Sequence, residues 1–99
     1  MAKRALGRSG LMIESLMLGT NVMGWTADEA TSFAVMDAFL AEGFTGIDTA
    51  DVYSGGASEE MVGAFVADSA LRDRTVIATK SGFASGRGFH AGGNGARHI

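Results

Sequence analysis

The sequence predicts an α/β fold, a β-hairpin followed by a βαβαβ unit, and three observations carry that reading. Short apolar runs end near Thr20, Asp48 and Lys80, 28 and then 32 residues apart, which is the pitch of a strand, a helix and two loops. The stretches between them carry apolar residues at helical spacing and open on capping residues. Parallel strands joined in this way bring their carboxyl ends to one rim, so chemistry-bearing residues at the three ends converge there.

Taken in order, residues 4–14 divide into two extended pieces around Gly7-Arg8-Ser9-Gly10, whose glycines can adopt positive φ and close a hairpin, a small lid or plug. Leu16 to Thr20 is a continuous apolar run broken by Gly19 and is expected as a first buried parallel strand. A loop from Val22 to Trp25 leads to Thr26, which stands three residues before Glu29 as in a capping box. Phe33, Met36, Phe39 and Leu40 then form a helical apolar face, and Gly43 is placed to end that helix in the left-handed conformation.

The run from Gly43 to Tyr53 follows, with a second strand that closes on Asp48; Gly46 inside it is an unfavourable strand residue. Ser58, with Glu59 and Glu60, is expected to open a second helix whose face is Met61, Val62, Phe65 and Val66, and Gly63 to allow a close approach. Asp68 to Arg74 reads as a return loop and Thr75 to Thr79, rich in β-branched residues, as the third strand, with Lys80 at its end. Beyond it glycines crowd and the apolar period is lost, so residues 82–99 are expected to form a mobile loop.

Composition narrows the function classes. With 99 residues, 46% hydrophobic and 19% charged, the chain suits one modest globular domain. A net charge of −3 and scattered basic residues argue against a nucleic acid partner. The absence of cysteine excludes disulfides and thiolate metal sites and fits a reducing cytoplasm. The apolar run from Leu11 to Leu18 is interrupted by Glu14, too short and polar for a signal core or a membrane span. His90 and His98 lie in the glycine-rich tail with no carboxylate at ligand spacing, so no metal site is expected.

At the rim an acid, a phenol and an ammonium meet: Asp48, Tyr53, the only tyrosine, and Lys80. An ammonium held against a phenol favours the phenolate, and a carboxylate beside the ammonium keeps it charged and oriented. Such a phenol can protonate a carbonyl oxygen as that carbonyl accepts a hydride, which no side chain supplies; a nicotinamide cofactor must. Blander roles stay open from spacing alone: Asp48 as a turn or cap residue, Tyr53 as a half-buried aromatic, Lys80 as a solvated charge. Trp25 has two readings of equal weight, a cover for the core or a contact for cofactor or substrate. No Gly-x-Gly-x-x-Gly or phosphate-loop pattern supports a Rossmann site.

Gly19-Thr20-Asn21 with Gly24-Trp25, then Asp48-Thr49-Ala50-Asp51-Val52-Tyr53, Gly56-Ala57-Ser58-Glu59 with Gly63, and Ala78-Thr79-Lys80 together resemble the aldo-keto reductases, most of all bacterial NADP-dependent oxidoreductases of that family. The resemblance runs from about Leu6 to the last residue. It implies the first three βα units of a (β/α)8 TIM barrel, a fold of about 250 residues, preceded by the hairpin and apparently truncated. It implies NADPH as cofactor, a small carbonyl or alcohol as substrate, and Asp48, Tyr53 and Lys80 as three of four catalytic residues, with Tyr53 the proton donor. It places Thr20, Asn21, Trp25 and Asp48 at the nicotinamide end of the cofactor. The fourth catalytic residue, a histidine after a fourth strand, falls beyond Ile99. Two function classes therefore stand: a carbonyl reductase, or a non-catalytic, cofactor-binding or regulatory relative without turnover. A three-stranded parallel sheet left bare on one face is also expected to self-associate through its exposed edges.

Overall fold

Glycines at both ends of the first turn set the course of the chain. Gly7 and Gly10 take φ of 55° and 83°, folding strand β1 (Arg4–Ala5) antiparallel onto β2 (Met12–Ile13) with Arg4 opposite Ile13. The structure, a computed structural model, describes residues 2–82. The glycine-rich segment expected to be mobile, and both histidines, lie outside the described residues save for Gly82.

Strands β3 (Met17–Gly19), β4 (Gly46–Asp48) and β5 (Val76–Ala78) form one parallel sheet in that order. Their register aligns Leu18, Ile47 and Ile77 in one row. That row packs with Met36 and Leu40 of helix α1 (Glu29–Ala41) and with Val62 and Phe65 of helix α2 (Ala57–Phe65). Phe33 meets Phe65 edge to face at 5.5 Å between ring centres, closing the two helices over the sheet. Because side chains alternate along a strand, the flanking rows, Met17-Gly46-Val76 and Gly19-Asp48-Ala78, lie on the sheet face turned away from the helices.

Several expectations change in detail, each for a local reason. The α1 cap is Asp28, whose carboxylate accepts from Thr31 N at 2.8 Å, not Thr26. The loop before it is tied by Gly24 N to Ala27 O and Ala27 N to Val22 O, which holds Thr26 and Ala27 outside the helix. Helix α2 starts at Ala57 behind Gly56, so Ser58 is not its cap; it is buried and bonded elsewhere. The supposed return loop contains helix α3 (Ser69–Arg74), capped by Asp68 on Ala70 N and carrying Arg72 and Arg74 in its last turn, where cations suit the helix dipole. The first strand is not buried as a run: Leu16 and Met17 are exposed and only Leu18 packs against the core.

Among the described residues nothing lies within 4 Å of where a Cβ on Gly63 would stand. The close approaches are at Gly24 and Gly46, where an added Cβ would lie 2.6 Å from Ala57 Cβ and 2.9 Å from Met17 Cγ. Gly46 therefore has a reason to interrupt a strand: the Met17 side chain crosses the space a larger residue would occupy. Gly43, at φ 93°, ends α1 as expected, its N–H bonded to Leu40 O.

The hairpin is a plug and not a lid. Glu14, following β2, is 3% exposed, and its carboxylate accepts from Thr45 N at 3.2 Å and Thr45 Oγ1 at 2.7 Å. Thr45 immediately precedes β4, so the hairpin is fastened at the amino ends of the strands. Cavities of about 420 Å³, lined by Met12, Phe44 and Thr75 among others, and about 500 Å³, lined by Arg4, Ile13 and Ser15 among others, lie around that hairpin.

Candidate active site

The opposite end of the sheet collects the polar residues. Backbone bonds extend the pairing past the strands: Thr20 N to Asp48 O at 3.1 Å, Thr49 N to Ala78 O at 2.8 Å and Asp51 N to Lys80 O at 3.1 Å. Residues 20, 48–51 and 80 are therefore fixed to one another before any side chain is considered. After Asp51 the chain turns sharply through Tyr53–Gly56, where Ser54, Gly55 and Gly56 all take positive φ (54°, 64° and 102°). Ser54 is a non-glycine residue in that region, a conformation that costs energy and is held by its surroundings. The turn brings the phenol of Tyr53 back over the strand ends.

Lys80 joins the three groups. Its ammonium donates to Asp48 Oδ1 at 2.8 Å, to the Thr49 carbonyl at 2.8 Å and to Tyr53 Oη at 3.2 Å, which engages all three of its N–H donors. Its nitrogen also lies 5.0 Å from the centre of the Tyr53 ring. The hydrogen bond to Asp48 raises the Lys80 pKa above its ordinary value; partial desolvation opposes this and the Tyr53 contact adds to it. Since Tyr53 Oη accepts from Lys80, its own O–H remains directed by whatever lies beyond it. A cavity of about 240 Å³ lined by Ala50, Asp51, Val52, Tyr53, Lys80 and Ser81 opens there.

The residues expected near a cofactor divide into two groups. Asn21 and Trp25 are exposed on the loop after β3, with Trp25 at 75%. Trp25 does not cover the core, which removes one of its two readings. Gly24 seats this loop against Ser54 and Ala57 of the turn, and the Asn21 carbonyl stands 3.5 Å from Ser54 Oγ. Thr20 is different: it is wholly buried, and its hydroxyl donates to Asp48 O at 2.9 Å. Its side chain braces the strand ends from beneath and is not presented to the cavity.

Two contributors were not singled out from the sequence. Thr49 supplies a carbonyl to Lys80, and Ser58 bonds both Thr20 and Thr49. Thr49 lay inside the quoted Asp-Thr-Ala run, but a backbone acceptor leaves no mark on residue type; Ser58 was read as the start of a helix and quoted within the Gly-Ala-Ser-Glu run, with no role at the rim. Glu59 accepts from Thr79 Oγ1 at 2.6 Å, linking α2 to the end of β5.

Residues 15–98 match the profile of the aldo/keto reductase family. The chain belongs to that family. It is 47% identical over 90 residues to an 11.2 kDa protein in the crtE 3′ region of Pseudescherichia vulneris, covering 83% of this chain and 87% of that one. It is 37% identical over 81 residues to aldo-keto reductase YhdN of Bacillus subtilis, covering 78% of this chain and 24% of that enzyme. Among solved structures, aldo-keto reductase AKR11C1 from Bacillus halodurans, in its holo form, superposes with a TM-score of 0.73 at 35% identity, over 88% of this chain and 28% of that one. The chain thus spans about a quarter of the length of the larger reductases it matches, and it shares the α/β architecture of their barrel. Among the described residues no helix is long and apolar enough to cross a membrane, and no group of three or more acids or histidines could hold a metal ion.

Proposed function

We propose that the rim serves the NADPH-dependent reduction of a small aldehyde or ketone to an alcohol, with Tyr53 as proton donor. The observation that carries this reading is the placement of the Lys80 ammonium between the Asp48 carboxylate and the Tyr53 oxygen. Family membership supports oxidoreductase chemistry. The residues fit a nicotinamide: the cavity beside Tyr53 and Lys80 is open, and the exposed ring of Trp25 and side chain of Asn21 stand on the adjoining loop. Asn21, Trp25 and Asp48 would hold that group, with Thr20 supporting them from below. When bound, the cofactor supplies the hydride. Tyr53 O–H hydrogen-bonds the substrate carbonyl oxygen and passes its proton there as negative charge develops; Lys80 stabilises the phenolate left behind, and Asp48 keeps Lys80 charged and aimed. The cysteine-free composition suits a cytoplasmic setting.

A second reading is a rim that binds the cofactor without turnover, since the contacts of Lys80 with Asp48 and Tyr53 would also suit binding alone. The two readings part in a direct assay. NADPH fluorescence titration and aldehyde-dependent NADPH oxidation are measured on the chain itself and on the chain joined to the further βα units of YhdN. Weak binding by the chain itself and turnover by the joined protein are expected. Tight binding without aldehyde reduction in both proteins would favour the second reading and reject the first.

A further inference from the structure

The residues of the rim rest on a buried layer of hydroxyls. Ser58, in the first turn of α2, is fully buried, as are Thr20 and Thr49. Ser58 Oγ lies 2.7 Å from the Thr20 carbonyl, 2.8 Å from Thr20 Oγ1 and 3.2 Å from Thr49 Oγ1. Each hydroxyl has one hydrogen to give. Thr49 donating to Ser58, Ser58 to the Thr20 carbonyl and Thr20 to the Asp48 carbonyl satisfies all three at once. This chain ties the ends of β3 and β4 to the start of α2.

We propose that Ser58 is a positioning residue for the rim, fixing the Thr49 carbonyl and the Asp48 backbone so that Lys80 presents its ammonium to Tyr53. Two of the three acceptors on Lys80 belong to Asp48 and Thr49, and both of those residues are held by this hydroxyl chain. Removing the Ser58 hydroxyl leaves the Thr49 hydroxyl buried without its partner, a penalised state that is relieved only if Thr49 turns. Loss of the Ser58–Thr49 link, from either side, lets the Thr49 backbone relax; the carbonyl that Lys80 uses shifts with it, and the third donor, the one on Tyr53, loses its direction. The inference rests on the reading of Lys80 and Tyr53 as the proton-transfer pair, yet it is tested without turnover.

The test is nuclear magnetic resonance of the full 99-residue chain labelled with ¹⁵N at the lysine Nζ. Ser58→Ala is compared with Thr49→Val, which removes the same link while keeping shape, and with Val62→Ala, a cavity variant in the same helix that leaves the hydroxyls alone. In Ser58→Ala and Thr49→Val the Lys80 titration is expected to move towards that of free lysine, and its ammonium hydrogens to exchange about tenfold faster, the scale of one lost hydrogen bond. Val62→Ala is expected to leave Lys80 unchanged despite its lower stability. An unaltered Lys80 in the two hydroxyl variants, or an equal change in Val62→Ala, overturns the proposal. Thr49→Val decides alone if Ser58→Ala does not fold. Turnover that survives Tyr53→Phe bears on the proton-donor reading and is read in a separate assay.

Discussion

Lys80 Nζ stands 2.8 Å from Asp48 Oδ1, joining residues 32 positions apart across the adjoining ends of β4 and β5. Both side chains keep substantial exposure, 52% and 35%, so the pair orients more than it stabilises. The raised Lys80 pKa, due first to Asp48, gives the stability term a definite sign. The contribution is fully present below the lysine's unfolded value and fades as pH rises through the higher folded value. Thermal unfolding followed by circular dichroism is therefore expected to show a small advantage of the natural chain over Lys80→Met at neutral pH. That advantage is expected to fade as pH rises past the ordinary lysine value of about 10.4.

Tyr53→Phe removes one hydroxyl and leaves the ring in place. In the chain joined to the further βα units it is expected to lower kcat for aldehyde reduction by roughly 10²–10⁴-fold, the usual range for a lost general acid. NADPH affinity, measured by fluorescence titration, is expected to stay within about twofold, since binding that is equal in ground and transition states is not affected.

Glu14 gives the opposite pH behaviour at the other end of the sheet. The hydrogen bond from the Thr45 hydroxyl lowers its pKa below 4.5; burial opposes this, and the Lys3 ammonium at 3.7 Å helps. Its stabilisation is present above the unfolded value and lost as pH falls through the folded one. Glu14→Gln is expected to lower Tm at pH 7 and to converge with the natural chain in acid, which melting curves from pH 7 down to about pH 3 would check. Parallel curves across that range would show that the Glu14 carboxylate is not the titrating latch.

Two glycines are close to other atoms, and they are expected to respond differently. Gly46→Ala places a methyl against the Met17 side chain, which is partly exposed and can swing aside, so a loss below about 1 kcal/mol is expected. Gly24→Ala meets Ala57 Cβ at a backbone φ of 86°, combining a clash that cannot relax with left-handed strain; a loss of about 2–4 kcal/mol is expected. Urea unfolding of the two variants orders them.

The fold was legible where the pattern is long-range and chemical. Strand ends at Thr20, Asp48 and Lys80 were read within two residues of the observed ends at Gly19, Asp48 and Ala78, because apolar runs and their pitch are dictated by the sheet. The grouping of Asp48, Tyr53 and Lys80 followed from that pitch. What escaped is local and hydrogen-bonded. A six-residue polar helix at Ser69–Arg74 has too few apolar residues to show a period. Ser58 carries the same residue type whether it caps a helix or braces a rim. Ser32 fills a buried position in α1 where an apolar residue would be expected, and its hydroxyl has no hydrogen-bond partner among the described residues; nothing in the residue order announces it.

The fastening of the hairpin through Glu14 and Thr45 sets it against the amino end of β4, and its turn at Arg8 is exposed between two left-handed glycines, while Tyr53 stands by the carboxyl ends of β4 and β5. That polarity makes the tip a labelling handle. A fluorophore, affinity peptide or surface tether placed at Arg8 would report tumbling or immobilise the protein through its hairpin and not through the rim that carries Tyr53 and Lys80.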